Sequence, residues 1–179
     1  MNKTVIVMKV GPHSGMSLND IIESKKVEEK VHGVHYWGYS GSFCRPKITQ
    51  EFCKWSLVKY NTLPTLVLLE TKSAYESKDI GFIREYSEDN FVYKSFDKPV
   101  QLRGAQFSFV ACNIRQDTDF ILDNYLVFGG KNDGKPLIDH LRFRVNKAFA
   151  VQKEKITNQT GVNVLVADMV SPYAIWLRE

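Results

Sequence analysis

The sequence predicts an α+β fold: a single domain over residues 1–179, with a mainly antiparallel β-sheet and two N-terminal-half helices packed on one face. Three observations predict it. Segments with strand character outnumber those with helical periodicity, the helical segments fall early, and no repeat, low-complexity stretch or linker divides the chain. With 179 residues, 44% of them hydrophobic and 25% charged, the composition is that of an ordinary globular domain with a substantial core.

Val5, Ile6, Val7, Met8 and Val10 form a nearly continuous apolar run, the pattern of a strand buried on both faces. Gly11-Pro-His-Ser-Gly15 breaks it. Ser17 has the chemistry of an N-cap, and Asp20 completes an approximate capping box. Leu18, Ile21, Ile22 and Val31 outline the inward face of a helix that ends near Gly33. Residues 35–46 are aromatic and glycine-rich without clear periodicity. Thr49 is placed to cap a second helix, with Phe52, Trp55 and Val58 facing inward and Asn61-Thr-Leu-Pro64 closing it.

Leu66 to Leu69 reads as a buried strand, and Phe82 to Phe96 as a hairpin about Ser87-Glu-Asp-Asn90. Phe107, Phe109 and Ala111 alternate with Ser108 and Val110, and Tyr125 to Phe128 is strand-like. Gly129-Gly-Lys-Asn-Asp-Gly134 marks a turn. Pro136 to Asn146 is open between two periods: Leu137, Ile138 and Leu141 have helical spacing, whereas Leu141, Phe143 and Val145 alternate. Two further strands are expected, Val162 to Ala167 and Tyr173 to Leu177.

The formal charge of +4, from 24 Lys and Arg against 20 Asp and Glu, is a mild excess. A protein that grips a nucleic-acid polymer needs a denser basic face, because each phosphate contact takes its own cation. A small anion needs only a few cations. Three cysteines (Cys44, Cys53, Cys112) without a Cys-x-x-Cys read as free thiols of a reducing cytoplasm. The apolar run from Val5 to Met8 is too short for a signal-peptide core or a membrane span, so a soluble cytoplasmic protein is expected.

The densest functional signal is His32-Gly-Val-His-Tyr-Trp-Gly-Tyr-Ser-Gly-Ser-Phe-Cys-Arg-Pro46. Tyr36, Trp37 and Tyr39 offer flat faces for a planar base, with His35 among them. Gly38 and Gly41 permit close main-chain approach, Ser40 and Ser42 add hydroxyls, and Arg45 has the fork geometry for a phosphate. The competing reading is a strand and bulge whose rings fill the core. A second candidate is His13, Ser14 and Gly15, in a loop entering a helix, where unpaired N–H groups suit an anion. It matches neither the Walker pattern nor the dinucleotide fingerprint. A third is Arg142, Arg144 and Lys147, the first two on one face if the segment is a strand and divergent if it is a helix.

Other chemistry is thinner. His13, His32, His35 and His140 lack zinc-ligand spacing, and no metal or other cofactor is expected. Cys44 with His35 or His13 would make a thiolate–imidazole pair only if the fold joins them, and Asp117, Asp119 and Asp123 resemble a solvated turn.

Val10-Gly-Pro-His-Ser-Gly15, the helix after it, and Tyr36-Trp-Gly-Tyr-Ser-Gly41 through Cys44 and Pro46 resemble a family of small, uncharacterised bacterial and phage proteins. The likeness covers roughly the first third of the chain and implies no activity, fold or cofactor. In kind, the design is similar to phage sponge proteins, which sequester cyclic nucleotide or ADP-ribose-derived immune signals; this is analogy of role only. The expectation is therefore a binder of a small anionic nucleotide-like molecule, with no membrane or nucleic-acid polymer as partner and a homo-oligomer compatible with it. An enzyme on the same ligand class and a protein-interaction module are the alternatives.

Overall fold

The computed structural model describes residues 2–12, 16–71, 81–102, 104–142, 145–156, 158–159 and 161–179. They form an α+β fold with mostly antiparallel strand pairing, as the sequence predicts. In chain order the elements are β1 (Thr4–Val10), α1 (Leu18–His32), β2 (His35–Tyr39), α2 (Pro46–Tyr60), β3 (Thr65–Glu70), β4 (Gly81–Ser87) and β5 (Tyr93–Leu102). After these come β6 (Phe107–Phe120), β7 (Tyr125–Val127), α3 (Leu137–Leu141), β8 (Lys147–Gln152) and β9 (Val162–Arg178). Among the described residues no helix is long and apolar enough to cross a membrane. The chain groups into two compact units.

The first unit comprises Met1–Val10, Phe52–Glu70 and Asn113–Asp168. Here β1 pairs in parallel with β3 and antiparallel with β8, while β9 flanks β3 and β7 flanks β8. Both faces of β1 are covered, which explains its nearly continuous apolar run. Val5 and Val7 face a core that includes Val67, Tyr125, Leu137, Leu141, Ala148 and Ala150. On the other face Thr4 shares a 2.5 Å hydroxyl–hydroxyl hydrogen bond with Ser56 of α2, and Phe52 stacks on Phe149 at 4.5 Å.

Three expectations change. Val58 is 89% exposed, and Phe52, Cys53 and Ser56 form the buried face of α2 instead. The segment open between two periods is helical over Leu137–Leu141, because residues four apart put Leu137 and Leu141 together into the core. The two strands expected in the tail are one, Val162–Arg178.

The second unit comprises Gly11–Glu51, Thr71–Cys112 and Met169–Glu179. Helix α1 starts as predicted: Ser17 accepts the Asp20 N–H, and the Asp20 carboxylate accepts the Ser17 N–H. It ends at Gly33, whose φ of 75° is the left-handed cap that glycine adopts without strain. Its inward face differs from the expected one. Val31 is 48% exposed, while Ile21 and Lys25 are buried. Helix α2 begins at Pro46, three residues before the expected cap, consistent with proline at a first helical position. Thr49 lies inside the helix and donates its hydroxyl to the Cys44 carbonyl at 2.8 Å.

The β4–β5 hairpin forms where expected, and its turn is held by Asp89, which accepts the Phe91 and Val92 N–H groups at 2.8 and 3.0 Å. Ile83, Val100, Leu102, Val110, Ile175 and Leu177 make this unit's apolar cluster.

One packing constraint in the first unit is directly testable. A Cβ added at Gly161 would lie 2.5 Å from the Asp119 backbone, which cannot swing aside as a side chain can. Gly161→Ala is expected to destabilise the protein by roughly 1–3 kcal/mol, the usual range for overpacking. Urea unfolding checks it; an unchanged midpoint contradicts the packing described.

Candidate anion site

The segment expected to be a binding loop begins as a strand, and strand alternation decides what its rings do. In β2, His35, Trp37 and Tyr39 point to one face and are buried, while Tyr36 and Gly38 take the other. The three rings therefore do not converge. Tyr39 stacks on Phe109 at 4.3 Å, and its hydroxyl donates to the Cys44 carbonyl at 2.5 Å. Trp37 is 4% exposed and lies under the Lys25 ammonium, 5.6 Å from its ring. Tyr36 packs edge-on against Phe96 at 5.2 Å. Gly38 provides close approach, but to protein: an added Cβ would be 2.7 Å from the Ala105 Cβ. For Trp37, Tyr39 and Gly38 the core reading wins, because β2 pairs with β6 over Phe107–Ala111 and its inward side chains meet that strand's rings.

Beside these rings lies a charged layer that the helical pattern did not reveal. Lys25 and Glu28 pair at 3.2 Å with side chains 8% and 9% exposed, and Glu28 also accepts the Tyr36 N–H at 2.5 Å. Burial pushes the Glu28 carboxyl up and the Lys25 ammonium down, each opposed by the other's charge. Burial, and then the Glu28 and Tyr86 charges, push the Tyr36 hydroxyl up to about 12. His35 is fully buried, and its Nδ1 accepts the Trp37 indole N–H at 2.8 Å. An Nδ1 that accepts puts the ring's proton on Nε2, which has no hydrogen-bond partner among the described residues and faces a Glu29 carboxylate oxygen 3.6 Å away.

The rest of that segment is turn and helix start. Gly41 has a positive φ of 94°, and Ser40 accepts the Gln106 N–H at 3.2 Å. Arg45 is exposed, immediately before α2. Cys44 and Cys53 are buried, and burial pushes the Cys53 thiol up to about 12. His13, Ser14, Gly15 and Arg144 lie outside the described residues.

Cations gather instead in the first unit, around the last turn of α3. Lys9, at the end of β1, donates to the Leu141 carbonyl, and its main-chain N–H donates to the Asn146 carbonyl at 2.8 Å. Burial lowers the His140 imidazole, and the Lys135 and Lys9 charges lower it further. Lys147 opens β8 opposite Met8, is 4% exposed, and donates to Asn146 Oδ1 at 2.9 Å. Arg142 ends α3, is exposed, and meets Asp139 at 3.3 Å. As the helix requires, it does not form a strand-face row. The helix's C-terminal carbonyls favour positive charge there. Sequence reasoning found Arg142 and Lys147 but missed Lys9, Lys135 and His140. A lysine interrupting the apolar run at Lys9 was the available signal.

Among the described residues, no group of three His, Cys, Asp or Glu side chains is arranged to hold a metal ion. No protein-family model, curated protein or solved structure matches the chain, so the functional reading rests on this geometry.

The buried histidine makes stability depend on pH. Burial, the largest influence, lowers His35 from 6.5 to about 4. Between those values the unfolded chain binds a proton that the folded protein excludes, so stability falls as pH drops through that window. The loss is at most about 1.4 kcal/mol per pH unit. His35→Gln, which keeps an acceptor for Trp37 without titrating, is expected to lose less stability than the wild type between pH 7 and pH 4.5. Equal losses in urea titrations contradict the assignment.

Proposed function

We propose that this chain binds a small anionic, nucleotide-like molecule and holds it without turnover, as a sequestering protein does. The observation that carries the proposal is the seating of the Lys9 ammonium on the Leu141 carbonyl at the last turn of α3, where its charge and that of Lys135 both reach His140. Arg142 adjoins it at the end of α3, whereas Lys147, opposite Met8, takes the other face of the sheet from Lys9. The lysine and arginine charges at this helix end attract a phosphate or pyrophosphate, and the partly buried Lys9 is screened less than surface lysines. Capture is favoured over covalent catalysis because Cys44 and Cys53 are both buried and the Cys53 thiol is held far from its thiolate.

One observation favours a protein-interaction role instead. Phe91 and Val92 stand 87% and 62% exposed on the hydrogen-bonded turn of the β4–β5 hairpin.

Thermal unfolding with cyclic dinucleotides, ADP-ribose and ATP separates these roles. A binder gains stability by mass action, and mass spectrometry of the heat-released compound distinguishes capture from conversion. Lys9→Met and Lys135→Met are each expected to weaken binding by about ten- to a hundredfold, the scale of one charge-assisted hydrogen bond. If no compound at millimolar concentration raises the melting temperature, the anion reading is overturned.

A further inference from the structure

We infer that the outer edge of β6, over residues 113–119, docks the same edge of a second copy of this chain in an antiparallel ladder about a two-fold axis. The inference is independent of the anion-binding reading. Strand β6 is much longer than β2, which pairs with Phe107–Ala111. Past Ala111, no strand among the described residues pairs with β6 on the β2 side. On its other side lies β9. There the Asp168 carboxylate accepts from the Asn113 amide and the Arg115 guanidinium at 3.1 and 2.9 Å, and Asn163 accepts from Gln116 at 2.9 Å.

Arg115 and Gln116 are adjacent and both exposed, as are Thr118 and Asp119. Adjacent residues of a strand take opposite faces, so water reaches this stretch on both. Two of its main-chain groups are met by side chains of β6 itself. Arg115 donates to the Asn113 carbonyl at 3.0 Å, and the Asp117 carboxylate accepts the Asp119 N–H at 2.9 Å. Main-chain groups of alternate residues turn to the same edge of a strand. These two bonds therefore mark the edge turned away from β9, the edge that a further strand would extend.

Charge identifies the occupant as a second copy. With Gln116 on the two-fold axis, Arg115 lies opposite Asp117 of the second copy, and Asp117 opposite its Arg115. Opposite charges directly across an antiparallel pair stabilise it, and like charges oppose it. Moving the axis to residue 115 sets two arginines face to face, and moving it to residue 117 sets two aspartates face to face. Charged side chains on a strand edge generally block pairing; here they block the neighbouring registers and favour one. That register also brings the Asn113 carbonyl of one copy opposite the Asp119 N–H of the other, the two groups now met by side chains. Arg115 makes both of its bonds through Nη1, so its Nε and Nη2 can fork onto the carboxylate across the axis.

The test is sedimentation equilibrium on the full chain at up to about 0.5 mM, where a monomer–dimer equilibrium obeying mass action is expected. Arg115→Asp and Asp117→Arg each set like charges across the axis twice, and each is expected to weaken the dimer about tenfold or more. The double variant, Arg115→Asp with Asp117→Arg, restores opposite charges and is expected to recover it. The Arg115–Asp168 pair that these variants disturb is 49% and 45% exposed, so its loss costs the fold little. If a variant nevertheless fails to fold, amide exchange on the wild type decides. The Arg115, Asp117 and Asp119 N–H groups are expected to exchange more slowly as concentration rises. A wild type that stays monomeric, a dimer indifferent to the single inversions, or a folded double variant that stays monomeric overturns the inference. So does exchange at those amides that is independent of concentration.

Discussion

Strand β1 is hydrogen-bonded on both sides, to β3 in parallel and to β8 in antiparallel, and the first unit is arranged around that constraint. A central strand has no solvent side, so Val5, Ile6 and Val7 are fully buried and polar groups are confined to its ends. At one end Thr4 finds the Ser56 hydroxyl of α2. At the other, Lys9 reaches the last carbonyl of α3, where its charge also opposes the helix's negative terminus. The antiparallel register with β8 then sets Lys147 beside Met8 and Phe149 beside Ile6. Lys147 and Phe149 thus share the face opposite Lys9 through one strand register: a one-residue slip would turn both to the other side.

The second unit solves a different problem. Strand β2 ends the strand order and pairs with β6, leaving main-chain donors on its other side. An unpaired strand edge is a template for unwanted association. Glu28 of α1 meets this by accepting the Tyr36 N–H, and the carboxylate is held in its buried position by Lys25. A buried ion pair is weak evidence of stability in itself, because desolvation offsets the attraction. Its value here is positional: it docks a helix on a strand edge, and the ammonium lies over Trp37.

Much of the architecture was legible because it is written in local chemistry. Ser17 with Asp20, the Gly33 cap, the apolar β1 run and the Ser87-Glu-Asp-Asn90 turn each depend on neighbours within a few residues. What was not legible depends on distant partners. Lys25 looks solvated until Glu28 and the Tyr36 amide are seen beside it. The alternation in β2 is masked because buried and half-buried positions alike carry rings or glycine: Tyr36 and Trp37 differ in direction, not in type. Aromatic density pointed to residues 35–39 as a binding loop, but the same density serves a sheet interior. The Trp55–Phe128 contact joins residues from α2 and the end of β7, which no spacing rule connects.

The candidate site also differs from the core in what its residues contribute to the fold. Replacing a buried ammonium by an apolar side chain of similar length often leaves stability unchanged or raises it, because no charge must then be desolvated. Lys147, 4% exposed at the start of β8, occupies a position where methionine would satisfy packing. Trp55 and Phe128 present the complementary case, since large rings held at half-burial leave apolar area in water that deeper packing would remove. A charge kept inside and rings kept partly outside are both suboptimal for folding alone. Both costs are offset locally, the Lys147 ammonium by the Asn146 side-chain oxygen to which it donates at 2.9 Å, and the Trp55 ring by Phe128 stacked on it and the Lys59 ammonium over it.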